Sequence, residues 1–382
     1  MIRVVELTKD LIRIPSENPP GNQKPIADFI ESKMKQIGLK VDKYDYQPNK
    51  PNVVGRLAGK NGKPVLMLNG HIDTVPAGDH ERWTTGPFEA AERNGRIYGR
   101  GACDMKGGVA AMICAAEEIA NSGVDLKGTL LVACVVDEEV TGYGTKDLLD
   151  RGYTADFAVV GEPTDLKLEL ATKGALEFEV VARGKPTHAS SPREGISAIY
   201  KMSKICLALQ DYLAELEKMQ HPLVGRASIS VGKIEGGTAR SVVPERCRIE
   251  AERRILPGEK MDDVVSGLQE VFGRLKSEDP ELRLDYNVLL ECEPSETPAD
   301  SLIVRKSAEA ASRVTGKEAV IANLTATTDM RFLVNQGRIS TINLGPGGAL
   351  RQRAHAFDEY IETGQLTDAT KTYSLIAEKL LE

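Results

Sequence analysis

The chain has 382 residues, of which 41% are hydrophobic and 27% charged, with a formal net charge of −7. That length holds two hydrophobic cores, and the acidic balance argues against a nucleic-acid or anionic-membrane partner, each of which needs a basic face. No apolar run reaches the ~20 residues of a membrane span. The start, MIRVVELTKDLIRI, is amphipathic and unlike a signal peptide, and six scattered cysteines without a CxxC pair point to reduced thiols in the cytoplasm.

In chain order, a helical start is followed by a loop with Pro15, Pro19, Pro20 and Gly21. A helix is predicted over 23–38, with Ile26, Phe29, Ile30, Met34 and Ile37 on one face. Strands are predicted over 52–57 and 65–69, the second running into Gly70, His71, Ile72 and Asp73. Residues 76–100 read as a long polar loop, a length that is usually functional. A glycine-rich turn with Asp104 opens an Ala-rich helix over 109–121. The run LLVACVVDEE, Leu130–Glu139, reads as a buried strand ending in three acids. No Lys or Arg occurs between Leu130 and Thr145, so a bound cation is the first candidate partner for those acids. A helix over 145–151 and a strand over 157–160, ending in Gly161 and Glu162, close this part.

After about residue 173 the pattern changes to strand 177–182, helix 195–219, strands 227–234 and 246–256, helix 261–275 and strand 282–290. That order, βαββαβ, is the ferredoxin-like unit. A helix over 301–314, a Thr/Asp cluster at 325–329, a helical 331–336, a strand over 340–344, a glycine turn at 345–348 and a last helix from about Asp368 restore the α/β pattern. The expected fold is α/β: a catalytic domain with a largely parallel sheet flanked by helices, built from 1–173 and 293–382. The ferredoxin-like α+β domain, 174–292, is inserted into it.

His71, Asp73, Asp104, Glu138, Glu139, Glu162 and His355 are the polar residues expected at the carboxyl edge of the sheet, where open α/β sheets bind ligands. Singly, each has a bland reading as a turn, a solvated loop or a helix start. Together, imidazole and carboxylate donors without thiolate suit zinc or a related divalent ion. One bridging carboxylate could serve two metals, with two further ligands each and a water between.

The motifs SENPPG at 16–21, GHIDTVP at 70–76, GRGACDMKGG at 99–108, DEE at 137–139, GEPT at 161–164, GGTARSVVP at 236–244, RILPG at 254–258 and GPGG at 345–348 before His355 resemble, in order, those of the M20 metallopeptidase and deacylase family. The resemblance implies a dinuclear centre of two divalent ions, zinc first, with cobalt or manganese as alternatives. It implies His71 and Glu162 on one metal, Glu139 and His355 on the other, and Asp104 bridging. Asp73 would orient His71, and Glu138 would act as general base. His188, in a G-x-x-x-H-x-x-x-P turn, would reach the active site of a partner subunit and steady the oxyanion, in a homodimer formed through the inserted lid and dimerisation domain. Arg254 would bind a substrate carboxylate. Ser241 stands where members often carry Asn, with one donor where the amide has two. Thr328, Asp329 and Arg331 resemble a T-x-D-x-R cluster, and Gly347 lies in a loop expected to line the substrate pocket.

The implied activity is hydrolysis of the amide bond of an N-acyl amino acid, of the deacetylase or desuccinylase type. A dipeptidase or glutamate-type carboxypeptidase is the alternative enzyme, acting on a dipeptide or similar small molecule. A non-catalytic metal-binding or assembly protein is the alternative from another class, and it would lack a general base such as Glu138.

Overall fold

A computed structural model describes residues 3–322 and 326–382. The chain forms two compact units: Met1–Leu170 with Thr297–Ala322 and Thr328–Glu382, and Ala171–Glu296 with Asn323–Thr327. Thr325, the first residue of the expected Thr/Asp cluster, lies outside the described residues.

The first unit is built on an eight-stranded sheet. Its order is Lys40–Gln47, Lys50–Leu57, Thr129–Val135, Val65–His71, Phe157–Val160, Ser340–Asn343, Leu168–Glu169, Ile321–Ala322. The four strands in the middle run parallel, whereas Lys40–Gln47 and Lys50–Leu57 pair antiparallel, as does Leu168–Glu169 against Ser340–Asn343. The sheet is therefore mixed, and parallel only in its centre. Thr129–Val135 is buried along its whole length, which is why it reads as an unbroken apolar run and not as an alternation. Leu148, Met330 and Leu333, from helices Tyr143–Asp150 and Met330–Asn335, pack on one face against Met67, Leu131 and Ala158. Helix Gly107–Ser122 packs against the sheet, helix Val4–Ile12 and helix Thr363–Leu381. Alanines let it be buried nearly all round. At its start a Cβ on Gly108 would stand 2.5 Å from the Gly161 carbonyl oxygen. Glycine is what lets the helix come that close to the end of Phe157–Val160.

Several expectations differ from what forms. Lys40–Gln47 is an edge strand whose residues are only half buried or exposed, so KVDKYDYQ lacks an apolar face to betray it. The supposed loop 76–100 holds two short strands, Ala91–Arg93 and Arg96–Tyr98, which form a small sheet with Tyr360–Glu362. The last helix begins at Thr363, ahead of Asp368.

In the second unit, strands Gly174–Arg183, Ser228–Gly236, Arg246–Ile255 and Arg283–Cys292 alternate with helices Ala198–Leu216 and Met261–Glu278. The sheet is antiparallel throughout, with Gly174–Arg183 and Arg246–Ile255 in the middle. Phe178, Met202, Ile205, Ile249, Leu268 and Phe272 centre its core.

Candidate metal centre

Register explains how the site assembles. In the parallel centre, His71 pairs with Val135, and Asn69 and Asn343 both pair with Val160. Four strands thus end on one rim, and the residues just beyond them collect there. His71 ends its strand, Glu138 and Glu139 follow Val135, and Glu162 follows Val160. Asp104 arrives from the turn before helix Gly107–Ser122, and its peptide to Met105 is cis. His355 arrives from the segment after Ser340–Asn343.

His71 is buried, and its Nε2 lies 3.1 Å from Asp104 Oδ1 and 4.0 Å from Glu162 Oε1. On the other side His355 Nε2 lies 3.4 Å from Asp104 Oδ2 and 3.1 Å from Glu139 Oε2. Asp104 thus stands between the two imidazoles. Ligand atoms of His71, Asp104 and Glu139 fall within 4.8 Å of one another.

The electrostatics mark the rim as crowded with acids. Burial pushes the Glu162 and Glu138 carboxyls well above their ordinary range, and nearby acids add to it: Asp104 for Glu162, Asp329 and Glu139 for Glu138. Burial would depress the His71 ring, but the hydrogen bond to Asp104 and the charges of Glu162 and Glu138 outweigh it and raise the ring well above its ordinary range. Hydrogen bonds donated to Asp104 and Glu139 carry His355 to about 10. Asp104 goes the other way: burial opposes its charge, yet its two histidine partners pull it below the usual carboxylate range. Asp329 is raised to about 6, chiefly by burial, and its Oδ1 has no hydrogen-bond partner. Among the described residues, none of Asp73, Glu138, Glu162 or Asp329 is ion-paired with Lys or Arg. This set of oxygen and imidazole donors, crowded and short of positive charge, fits divalent cations.

Asp73 stabilises the site differently from expectation. The His71 Nδ1 lies 2.9 Å from the Asp73 backbone carbonyl, while the carboxylate Oδ1 is 3.7 Å away. The carboxylate instead accepts the backbone N–H of Glu138 (3.2 Å), the N–H of Glu139 (3.3 Å) and the Asn18 amide (3.0 Å). It fixes the turn that separates the two glutamates. Asp137 is not a cation-seeking acid of the centre. It is buried and accepts from Lys50, Asn18 and Thr141. The absence of Lys or Arg near it in sequence was misleading, because Lys50 comes from a neighbouring strand.

Thr328 donates to Asn343 Oδ1 at 3.0 Å, Asp329 accepts from Thr145 at 2.8 Å, and Arg331 donates to the Thr141 carbonyl at 2.6 Å. Asp329 and Arg331 are therefore tied to the segment after the DEE turn, and Thr328 to strand Ser340–Asn343. Gly347, at φ +83°, accepts the Asp165 N–H. In the second unit His188 is exposed, its Nδ1 2.7 Å from Ser190 Oγ. Ser241 is exposed and its carbonyl accepts from Ala189. Arg254 is not a free guanidinium: Glu252 lies 2.5 Å from its Nε, and Thr327 accepts from it at 3.3 Å.

Sequence reasoning passed over Asn18, Lys50, Arg100 and Glu359. Glu359 is fully buried. It pairs with Arg100 at 2.5 Å and accepts the N–H groups of Gly101, Cys103 and Asp104 at 3.2, 2.8 and 3.1 Å. It thereby holds the backbone of the Asp104 turn. Asn18 and Arg100 sit inside motifs quoted above, and Glu359 is four residues after His355. Beyond that proximity, nothing in the pattern distinguishes them.

The sequence model of "Peptidase family M20/M25/M40" matches residues 67–379. The chain belongs to this family. Its members are amide-bond hydrolases, so the chain is an enzyme of that type. One M20 relative is an N-formyl-4-amino-5-aminomethyl-2-methylpyrimidine deformylase of Bacillus subtilis, 30% identical over 96% of this chain and 92% of its own length. A probable succinyl-diaminopimelate desuccinylase of Staphylococcus aureus is 27% identical over 97% and 98%. An M20 family metallo-carboxypeptidase of Sulfolobus solfataricus has the same fold, with TM-score 0.83 at 21% identity, covering 100% of this chain and 99% of the other. Among the described residues no helix is long and apolar enough to cross a membrane.

Proposed function

We propose that the chain is a metal-dependent deacylase that hydrolyses the amide bond of a small N-acyl amine. His71 and Glu162 would hold one divalent ion, Glu139 and His355 a second, and Asp104 both. Zinc is the first candidate, with cobalt or manganese as alternatives. When bound, such ions supply the positive charge that polarises an acyl carbonyl and acidifies a water.

The remaining work falls to the protein. Glu138 takes a proton from the attacking water and passes it to the leaving nitrogen. One observation carries this reading. Glu139 is engaged by His355 and by the Val75 N–H, whereas the carboxylate of its neighbour Glu138 makes no hydrogen bond or ion pair with any described residue. An adjacent acid left free beside a ligand is what a general base requires. Asp73 supports the division, because it binds both backbone N–H groups.

The two curated relatives act, by name, on a formyl and a succinyl amide, which supports a deacylase over a peptidase. The amine part is less constrained. Arg254 is already met by Glu252, and Ser241 offers one donor. A substrate whose amine carries no carboxylate therefore belongs in the test beside N-acyl amino acids. His188, by resemblance, would act in the site of a partner subunit, in a homodimer formed through the inserted domain, 174–292. The six cysteines are all unbridged, which supports a reducing compartment.

Activity of the metal-loaded chain should be measured on N-formyl, N-acetyl and N-succinyl amines, with and without an α-carboxylate, and on dipeptides. Cleavage of dipeptides alone would sink the deacylase reading. Glu138→Ala should bind metal normally and lose about 10²–10⁴-fold in turnover. Mixing Glu138→Ala with His188→Ala should restore activity if a partner subunit's histidine completes each site. Full activity of either variant alone would remove its assigned role.

A further inference from the structure

A cavity of about 340 Å³ in the first unit is lined by Arg93, Arg96, Arg353, Asp358, Thr84 and Asn94, against the rings of Tyr98 and Tyr360. None of these residues is assigned to the ions or to the proton transfer above. Three arginines and one aspartate thus line one space, in a chain of net charge −7.

The carboxylate is already occupied. Asp358 accepts the Thr84 N–H on one oxygen at 2.7 Å and the Thr84 hydroxyl on the other at 2.9 Å. Arg353 approaches it no closer than 3.8 Å. Arg96 lies 3.6 Å from Glu362, which Arg351 approaches at the same distance. Arg93 has no carboxylate within ion-pair distance among the described residues. Some surface cations of the same unit are matched at hydrogen-bond length, as in Arg151 with Asp147 at 2.7 Å and Lys146 with Asp150 at 2.6 Å. Arg96 also stacks over the Tyr360 ring, 4.5 Å from its centroid. Stacking holds the plane of the guanidinium, and besides a hydrogen bond to Tyr98 its N–H edge can turn to a further acceptor.

We propose that this cavity binds a phosphoryl group. A guanidinium fork matches the oxygens of phosphate two at a time, and three such forks suit a dianion with several acceptors better than a lone carboxylate. Thr85 and Asn94 offer further polar groups at the rim. The rings of Tyr98 and Tyr360, 5.5 Å apart, form a wall on which the organic part of a phosphomonoester can rest. Free phosphate and a phosphomonoester are the two sources of this chemistry. A ligand joining Arg93 or Arg96 to Arg353 ties the hairpin Ala91–Tyr98 to the segment that carries His355.

The test is calorimetric titration of the full, metal-loaded chain with inorganic phosphate and, separately, with phenyl phosphate, each repeated after metal removal. Saturable binding that survives metal removal is expected. Arg96→Ala and Arg353→Ala should each weaken it about tenfold or more, and added chloride should weaken it further. Arg96→Lys should recover part of the affinity, since it restores the charge without the fork. Tighter binding of phenyl phosphate assigns the site to a phosphomonoester, and equal binding assigns it to phosphate itself. No saturation up to about 10 mM phosphate, on the ordinary affinity scale, overturns the proposal. So does binding that vanishes with the metal and is unchanged in the arginine variants. Because these side chains reach the surface, the variants are expected to fold, which their circular dichroism and melting temperature will check.

Discussion

The sheet rim of the first unit and the second unit use charge in opposite ways. In Ala171–Glu296 acids meet cations: Asp279 binds Lys201 and Lys204 at 2.7 Å, Glu179 binds Arg248 at 2.5 Å, and the buried Arg253 is held by Glu259 at 2.5 Å. In the first unit Asp73, Glu138, Glu162 and Asp329 crowd one rim, and the nearby positive charge is mainly that of two histidines. Unpaired buried charge is expensive. The second unit is thus arranged for stability. The rim of the first holds acids at a cost to the metal-free fold, a cost that bound cations would offset.

That contrast can be broken by mutation. The largest stability effect is expected where the first unit does pair a buried charge. Glu359→Gln leaves Arg100 without its partner and loosens the grip on the Asp104 backbone. It should destabilise the protein by about 3 kcal/mol and weaken metal affinity about 10-fold or more. Chemical denaturation and metal titration read the two effects, and a variant of native stability would show that the pair does not hold the turn.

Next comes Asp279, whose carboxyl is lowered to about 2, first by the Lys201 hydrogen bond and then by that of Lys204. A depressed carboxyl stabilises the fold above its unfolded value of 3.8, and the contribution fades as pH falls through about 2. Asp279→Asn should therefore cost about 1–2 kcal/mol at neutral pH. Its difference from the parent chain should shrink below pH 4, roughly the unfolded carboxyl range. A difference independent of pH would mean that the ion pair is not its source.

The smallest effect carries the opposite sign. Glu162→Gln removes one of the crowded acids, so the metal-free protein should melt higher, by about 1 kcal/mol in stability. The same change should weaken metal binding. A lower melting temperature in the metal-free state would contradict the idea that the rim is held against charge repulsion.

How much of this was legible in sequence follows from burial. Phe157–Val160 stood out with correct bounds because a strand covered on both faces is a short apolar run. Lys40–Gln47 did not, because an edge strand need not alternate visibly. Strand direction was legible only in part: the parallel centre conformed to expectation, whereas the antiparallel pairing of Lys50–Leu57 with Thr129–Val135 has no local signature. The same limit hid the partner of Asp137. Its lysine is 87 residues away in sequence, and only the sheet brings them together. His71, Glu138, Glu139 and Glu162 were legible because they stand at or just beyond strand ends that share a rim. The Asp104 turn was visible through its glycines, but its support from Glu359 was not, since a buried acid on backbone N–H groups leaves no spacing pattern.

The segment between His355 and Glu359 closes a ring. His355 meets the Asp104 carboxylate, and Glu359 holds the Asp104 backbone. Strand Ser340–Asn343, just before it, fills the sheet between Phe157–Val160 and Leu168–Glu169. A growing chain therefore makes most of the acids long before it makes the pieces that gather them. Until residue 359 has emerged from the ribosome, the Asp104 turn lacks its clasp and one imidazole is missing. Two of the contacts that shape the Asp104 turn thus depend on one short segment, which would have to be in place before the proposed centre could form.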